Sequence, residues 1–270
     1  VVEQPMNHII SLLDRGMVKN IFDSYREFIG YYLKEAGFTD ELILFVQDEK
    51  TFELLSFASE ERNTWIRILF SKNELWDKYI SMGGKNGYRF YAIPEDYPEN
   101  HAKNEALILT ASDRIEKLEY LIDKLPDMMF HIAAHTQVSD KLRQLAELEN
   151  VKVYPQISTQ KLEMLWNNCD FYLDINHYRE IYDAVDTAHM KNLLIMGFDN
   201  TVHHREIMVN DCIYSVEECE KMVLTIMKLK GNSDLVQELL KTQQQRKLEI
   251  WNKFMLGKSS KEMSRDDLEK

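Results

Sequence analysis

Cysteine is scarce: Cys169, Cys212 and Cys219 are the only three in 270 residues, and no CxxC spacing occurs. An odd, scattered set of thiols argues against a disulfide framework and for a reducing compartment. Glycine (9) and proline (5) are also few, and 11% of residues are aromatic, which excludes collagen-like, low-complexity and disordered chains. No apolar run approaches the roughly 18 residues needed to span a bilayer, so no transmembrane segment is expected. There is no basic-then-apolar leader, and the chain opens Val1-Val2-Glu3 without an initiator Met, so a fragment of a longer protein is expected.

Basic residues are in deficit. The 33 Lys and Arg against 45 Asp and Glu give a formal charge of −12, which repels phosphate backbones, and nucleic acid is not expected as a partner. The glycine turns of GxGxxG and GxxxxGK[ST] are missing, and with them dinucleotide binding and P-loop chemistry. No HExxH or comparable ligand spacing and no GxSxG elbow occurs. The expectation is therefore no metal site, no catalytic nucleophile and no bound cofactor.

What is present is a globular composition, 44% apolar, with room for one large domain or two modest ones. From residue 106 onward, short apolar runs alternate with amphipathic stretches. Strands are expected at 106–110, 128–134, 151–154, 171–175, 193–196 and 212–214. Helices are expected between them: one capped by Ser112 and running to Lys124, one over 138–148, one capped by Ser158, one over 180–190 and one over 216–228. Strands alternating with helices of this kind imply right-handed crossovers and a parallel sheet covered on both faces. Residues 103–230 thus read as a Rossmann-like domain.

The first part, 1–97, reads as the C-terminal portion of a first Rossmann-like domain. It has a long helix over Val18–Ala36 ended by Gly37, and strands at 42–46, 65–69 and 88–93. Its remaining strands are expected upstream of Val1. Pro94–Lys103 is the expected linker, 231–257 a terminal helix packing back on the first domain, and 258–270 a solvated tail.

Ligands of open parallel sheets sit beyond the carboxyl ends of the strands. Those ends place Ser112, Thr136, Asp174, Asn176, His177, Glu180, Thr201 and His203 on one rim as candidates for binding sugar hydroxyls or peptide backbone. For each, helix capping is the competing reading. Arg179 and Arg205 are the nearest basic groups for a diphosphate.

Several segments resemble one family. Ala106–Glu119 is similar to the start of the C-terminal half of a GT-B glycosyltransferase. Phe130–Thr136, Val151–Pro155, Asp170–His177 and Asn192–His203 resemble the B (stabilising or chaperone) subunit of the O-GlcNAc transferase complex for serine-rich-repeat adhesins of Gram-positive bacteria. The resemblance implies an α/β, GT-B-like fold with two Rossmann-like domains facing a cleft, the first incomplete. It also implies a catalytic glycosyltransferase as partner and a Ser/Thr-rich polypeptide as acceptor. The expected place is the cytoplasm, or the periphery of the inner face of the cell membrane.

Related catalytic subunits carry a pair of Glu before the fifth strand of the C-terminal domain, the later of which binds the donor's ribose. Here the two positions fall near His177 and Val185, and Val185 accepts no hydrogen bond. Asp186 is nearby but points about 100° away on a helix. A lost donor site and no independent catalysis are expected. The alternative is an active retaining transferase using a nucleotide sugar, with Glu180 or Asp186 as the ribose acid and Arg179 or Arg205 on the diphosphate.

Overall fold

A computed structural model describes residues 7–11, 41–46, 48–54, 66–84, 87–100 and 103–255. The chain divides into two compact units, one comprising Val1–Tyr91 with Trp251–Lys270 and the other Ala92–Ile250. The expected helix over 18–36, with Phe22, Tyr25, Phe28, Tyr31 and Tyr32, its Gly37 cap and the tail 258–270 lie outside the described residues. So does the side chain of Phe254. Among the described residues, no helix is long and apolar enough to cross a membrane.

In the first unit, β1 (Asn7–Ser11), β2 (Glu41–Val46), β3 (Ile66–Phe70) and β4 (Gly87–Arg89) form a parallel sheet in that order. Helices α1 (Glu49–Leu54) and α2 (Asn73–Ser81) follow β2 and β3. β1 has no counterpart among the expected strands, so this sheet gains a strand downstream of Val1. β4 stops at Arg89, short of the expected 88–93. Its core joins Leu69 and Tyr88 with Phe45, Phe90 and Trp251. Phe90 meets both Phe45 and Trp251 edge-on, with ring centroids 5.4 and 5.9 Å away, the arrangement that aromatic quadrupoles prefer.

The second unit carries six parallel strands: β5 (Glu105–Thr110), β6 (Met129–Ala134), β7 (Val151–Tyr154), β8 (Phe171–Asp174), β9 (Leu194–Phe198) and β10 (Ile213–Tyr214). Their order is β10-β9-β8-β5-β6-β7. The chain therefore winds outward from β5 through β6 and β7, then returns to β8 and winds the other way. This is the Rossmann order, with its switch point between β5 and β8. The near-continuous apolar strands are explained by burial on both faces: β8 and β9 are buried throughout.

The helices are α3 (Leu118–Lys124), α4 (Asp140–Leu145), α5 (Thr159–Trp166), α6 (Ala184–Met190), α7 (Cys219–Leu229) and α8 (Ser233–Met255). Ser139 and Ser158 cap α4 and α5 through their hydroxyls. Two helices start later than the apolar periodicity predicts. Ser112 caps no helix: residues after it run alongside the end of β8, and α3 begins only after Lys117, whose φ is 53°. α6 begins at Ala184 instead of near Glu180, after Tyr182 and Asp183 in the left-handed region. The expected linker belongs to the second unit, where Asn100 donates to the carbonyls of Asp170 and Asn192, both at 3.0 Å.

α8 is fastened to the second unit by polar groups. Gln243, fully buried, accepts from the Ile195 N–H at 2.9 Å and donates to the Leu193 carbonyl at 2.8 Å, adding a side-chain rung to β9. Lys247, 1% exposed, pairs with Asp186 of α6 and donates to the Ala92 carbonyl at 3.2 Å.

Gly197 is where the sheet admits the loop that follows β9. A Cβ there would sit 2.5 Å from both the Asp174 carbonyl oxygen and Val202 Cγ1, so only glycine lets the chain after β9 fold back against the end of β8. Gly197→Ala is expected to destabilise the second unit by about 2 kcal/mol, because neither backbone nor Val202 can retreat freely. Urea unfolding of the two proteins side by side measures this, and an unchanged midpoint would contradict it.

Candidate functional site

The loops that leave β5 and β8 meet at the switch point. Thr110, fully buried at the end of β5, places its hydroxyl 2.8 Å from Asn176 Oδ1. Ile115 and Asn176 form an antiparallel bridge. The Glu116 N–H donates to the Ile175 carbonyl at 2.8 Å, and the His177 N–H to the Arg114 carbonyl at 3.0 Å. These backbone bonds replace the first helical turns that periodicity predicts after Ser112.

On this base Glu116 accepts from His177 Nε2 at 2.9 Å and from Asn200 Nδ2 at 3.0 Å. Burial pushes the Glu116 carboxyl up, but the two bonds outweigh it and hold the pKa below the usual value. Asp113, Arg114, Ile115, Glu116, Lys141, His177 and Tyr178 line an open depression of about 490 Å³. Arg114 lies over the ring of Tyr178, 5.5 Å from its centroid, and that ring is 61% exposed.

Two histidine–carboxylate clamps hold the loops beside this depression. Asp174, 1% exposed, accepts from the His203 backbone N–H at 2.7 Å and from His203 Nδ1 at 2.8 Å. His203 Nε2 reaches the Tyr178 carbonyl at 2.7 Å. Burial disfavours charge on this ring, yet acceptors on both nitrogens raise its pKa and favour the imidazolium. The same bond fixes Tyr178, whose φ of 84° is a left-handed conformation that costs a tyrosine of order 1 kcal/mol or more.

The second clamp joins Glu180 to His204, Oε2 to Nε2 at 2.7 Å, with Glu206 Oε1 at 3.3 Å from Nδ1. Glu180 Oε1 also accepts from the Val185 N–H at 2.7 Å, at the start of α6. Burial opposes the charge on His204, but the two glutamates pull its pKa up to about 10. Tyr182 follows, 59% exposed and left-handed, with its hydroxyl on His135 Nδ1.

The remaining expected residues fall into two groups. Thr201 is buried, its hydroxyl donating to the Asp174 carbonyl at 2.9 Å, and Ser112 Oγ accepts from the Arg114 N–H at 3.1 Å. These two, with Asp174, Asn176 and Glu180, spend their polar atoms on the fold itself. Thr136 is exposed, apart from a 3.3 Å bond to the Gln137 carbonyl. Arg179 and Arg205 are exposed, and their side chains make no hydrogen bond or ion pair among the described residues. His177 is half-buried at the lip of the depression. Arg114, Glu116 and Tyr178 were not among the expected site residues, because the expected helix from Ser112 hid the first two. Val185 is fully buried, and Asp186, one residue on, is paired with Lys247.

Residues 106–243 match the family model described as the GftB/GlyA-F C-terminal domain. The chain belongs to this family. The fold class is accordingly that of GT-B glycosyltransferases, built from Rossmann-like parallel α/β units. The "UDP-N-acetylglucosamine--peptide N-acetylglucosaminyltransferase stabilizing protein GtfB" of Limosilactobacillus reuteri subsp. suis is 37% identical over 199 residues, covering 73% of this chain and 45% of that protein. The protein of the same name from Streptococcus parasanguinis is 47% identical over 184 residues, 65% of this chain and 41% of its own. Family members named otherwise are also similar: the "Glycosyltransferase GlyE" of Streptococcus pneumoniae is 28% identical over 230 residues, 83% of this chain and 56% of that protein. The chain spans about half the length of these curated relatives. Among solved structures, the "GtfA/B complex bound to UDP and GlcNAc" is similar at a TM-score of 0.57 and 25% identity, covering 88% of this chain and 53% of that one.

The His204 clamp has a pH signature. Folding raises its pKa, so its contribution is fully present below the ordinary value of 6.5 and is lost as pH rises through about 10. Removing one member of a buried pair costs about 3 kcal/mol, so His204→Gln is expected to unfold correspondingly earlier at pH 6. The gap to the parent should close by pH 10. A gap constant from pH 6 to 10 in paired denaturant titrations would contradict the clamp.

Proposed function

We propose that the chain works as part of a stabilising and acceptor-binding subunit, paired with a catalytic glycosyltransferase during protein O-glycosylation, and transfers no sugar itself. The observation that carries this reading is the fate of the carboxylates near the family's ribose-binding position. Val185 stands there with an apolar, buried side chain. Glu180 is occupied by the Val185 N–H and His204, and Asp186 by Lys247. A ribose diol needs an accessible acceptor: Val185 has none, each Glu180 oxygen already accepts a bond, and Asp186 is turned to the buried Lys247.

The exposed groups suit a different ligand. Tyr178 presents a ring face beside His177 and Arg114, a combination that packs against a sugar ring and donates to its hydroxyls or to peptide carbonyls. A subunit that orders an otherwise disordered acceptor raises its effective concentration at the partner's active site without performing chemistry. The names of the GtfB relatives support the partner, a UDP-GlcNAc-dependent peptide transferase that such a protein stabilises. The work belongs in the cytoplasm, where the three free thiols stay reduced.

Fluorescence anisotropy with a Ser/Thr-rich peptide carrying GlcNAc tests this. The expected outcome is binding by the parent and a loss of about tenfold for Tyr178→Ala, the scale of one hot-spot aromatic. Equal affinity of parent and variant would remove Tyr178 from the acceptor surface. Failure of the parent to bind either modified or unmodified peptide would remove acceptor binding from the role.

A further inference from the structure

A second constellation lies at the opposite edge of the large sheet, where β5 and β8 begin. Alternation along β6 sends Phe130 and Ile132 into the main apolar core and His131 to the other face. There His131 Nε2 is 2.9 Å from Glu105 Oε2, and its Nδ1 is 2.9 Å from the Tyr154 hydroxyl. Cys169, two residues before β8, completes the group. One donor atom from each of Glu105, His131 and Cys169 lies within 4.8 Å of the other two. His131 and Cys169 are each 5% exposed, whereas the Glu105 side chain is 31% exposed and opens the cluster to water. None of these residues takes part in the rim or its clamps.

We propose that Glu105, His131 and Cys169 bind a zinc ion, with water as the fourth ligand. Thiolate, imidazole and carboxylate together are the donor mixture that zinc accepts and that magnesium or calcium does not. Tetrahedral zinc needs donors about 3.3–3.6 Å apart, so the hydrogen-bonded His131–Glu105 pair, now at 2.9 Å, opens slightly while the Cys169 sulfur, within 4.8 Å of both, draws in around the ion. The ligands come from β5, β6 and the approach to β8, which are adjacent in the sheet, so little backbone movement is required.

Tyr154 supplies the outer contact that orients a ligating histidine. Without metal, the imidazole proton sits on Nε2 and bonds Glu105, while the Tyr154 hydroxyl donates to Nδ1. With zinc, Nε2 turns its lone pair to the ion, the imidazole proton moves to Nδ1, and Nδ1–H donates to the Tyr154 oxygen. Cys169 gives up its thiol proton to solvent as the S–Zn bond forms, so one proton leaves per ion. The ion then ties together the starts of three neighbouring strands.

The test uses the full chain, purified under reducing conditions, stripped with a chelator and titrated with Co²⁺ and then Zn²⁺. The expected result is one equivalent of Co²⁺ giving a sulfur-to-cobalt charge-transfer absorption, displaced by one equivalent of Zn²⁺. Cys169→Ser should abolish that absorption and Cys219→Ser should leave it intact. Glu105→Gln changes a partly exposed residue and keeps the test open if a core variant fails to fold; it should weaken zinc binding about tenfold or more. The proposal is overturned by absence of a stoichiometric cobalt band, by a band that survives Cys169→Ser, or by unchanged zinc affinity in Glu105→Gln.

Discussion

A carboxylate buried at the end of a sheet strand has to meet a positive charge, and in the second unit that requirement organises the rim. Asp174 ends β8 almost wholly out of water, and His203 answers it with both its backbone N–H and its ring. The other ring nitrogen then reaches the Tyr178 carbonyl and holds that residue left-handed, its ring facing solvent. One ion pair thus sets the return of the chain after β9, the course of the loop after β8 and the exposure of an aromatic. Gly197 makes the close approach feasible by having no Cβ to obstruct it.

The same economy applies to the next two acids. Glu180 bridges His204 and the first turn of α6, and Asp186 is matched by a lysine that α8 brings in fully buried. Removing either partner would strand a charge in low dielectric, so these acids are committed to the fold at neutral pH. On the proposed reading this commitment is also the functional statement. The acids nearest the ribose-binding position serve here as struts, and Tyr178 and Arg114 are left facing solvent where an acceptor could meet them.

Much of the architecture was legible in the sequence. Six apolar runs separated by amphipathic stretches specify a parallel sheet, because only strands buried on both faces look like Ala106–Thr110 or Phe171–Asp174. The first unit was less legible: Asn7–Ser11 holds two adjacent isoleucines among polar residues, too short an apolar signal to announce a strand. Helix starts were misplaced wherever tertiary bonds outcompete local periodicity, as where Arg114 and Glu116 pair with the end of β8 instead of opening a helix. The rim residues could be named from strand ends, but their partners could not, since Asp174 and His203 are brought together only by the return past Gly197. The nearest warning was Asp174 itself, an acid between Leu173 and Ile175 at the end of an apolar run. Such a residue must be buried and therefore paired, and the adjacent histidines at 203 and 204 were the available cations. That logic moves Asp174 and Glu180 from the ligand surface to its support.

The central claim is that no carboxylate near Val185 is free to hold a donor's ribose. Isothermal titration of the purified chain with UDP tests it most directly. The account predicts no measurable heat of binding at millimolar nucleotide, for the parent and for Glu180→Gln alike. Micromolar UDP binding by the parent that is lost in Glu180→Gln would contradict it, since that acid would then be gripping nucleotide and not only His204.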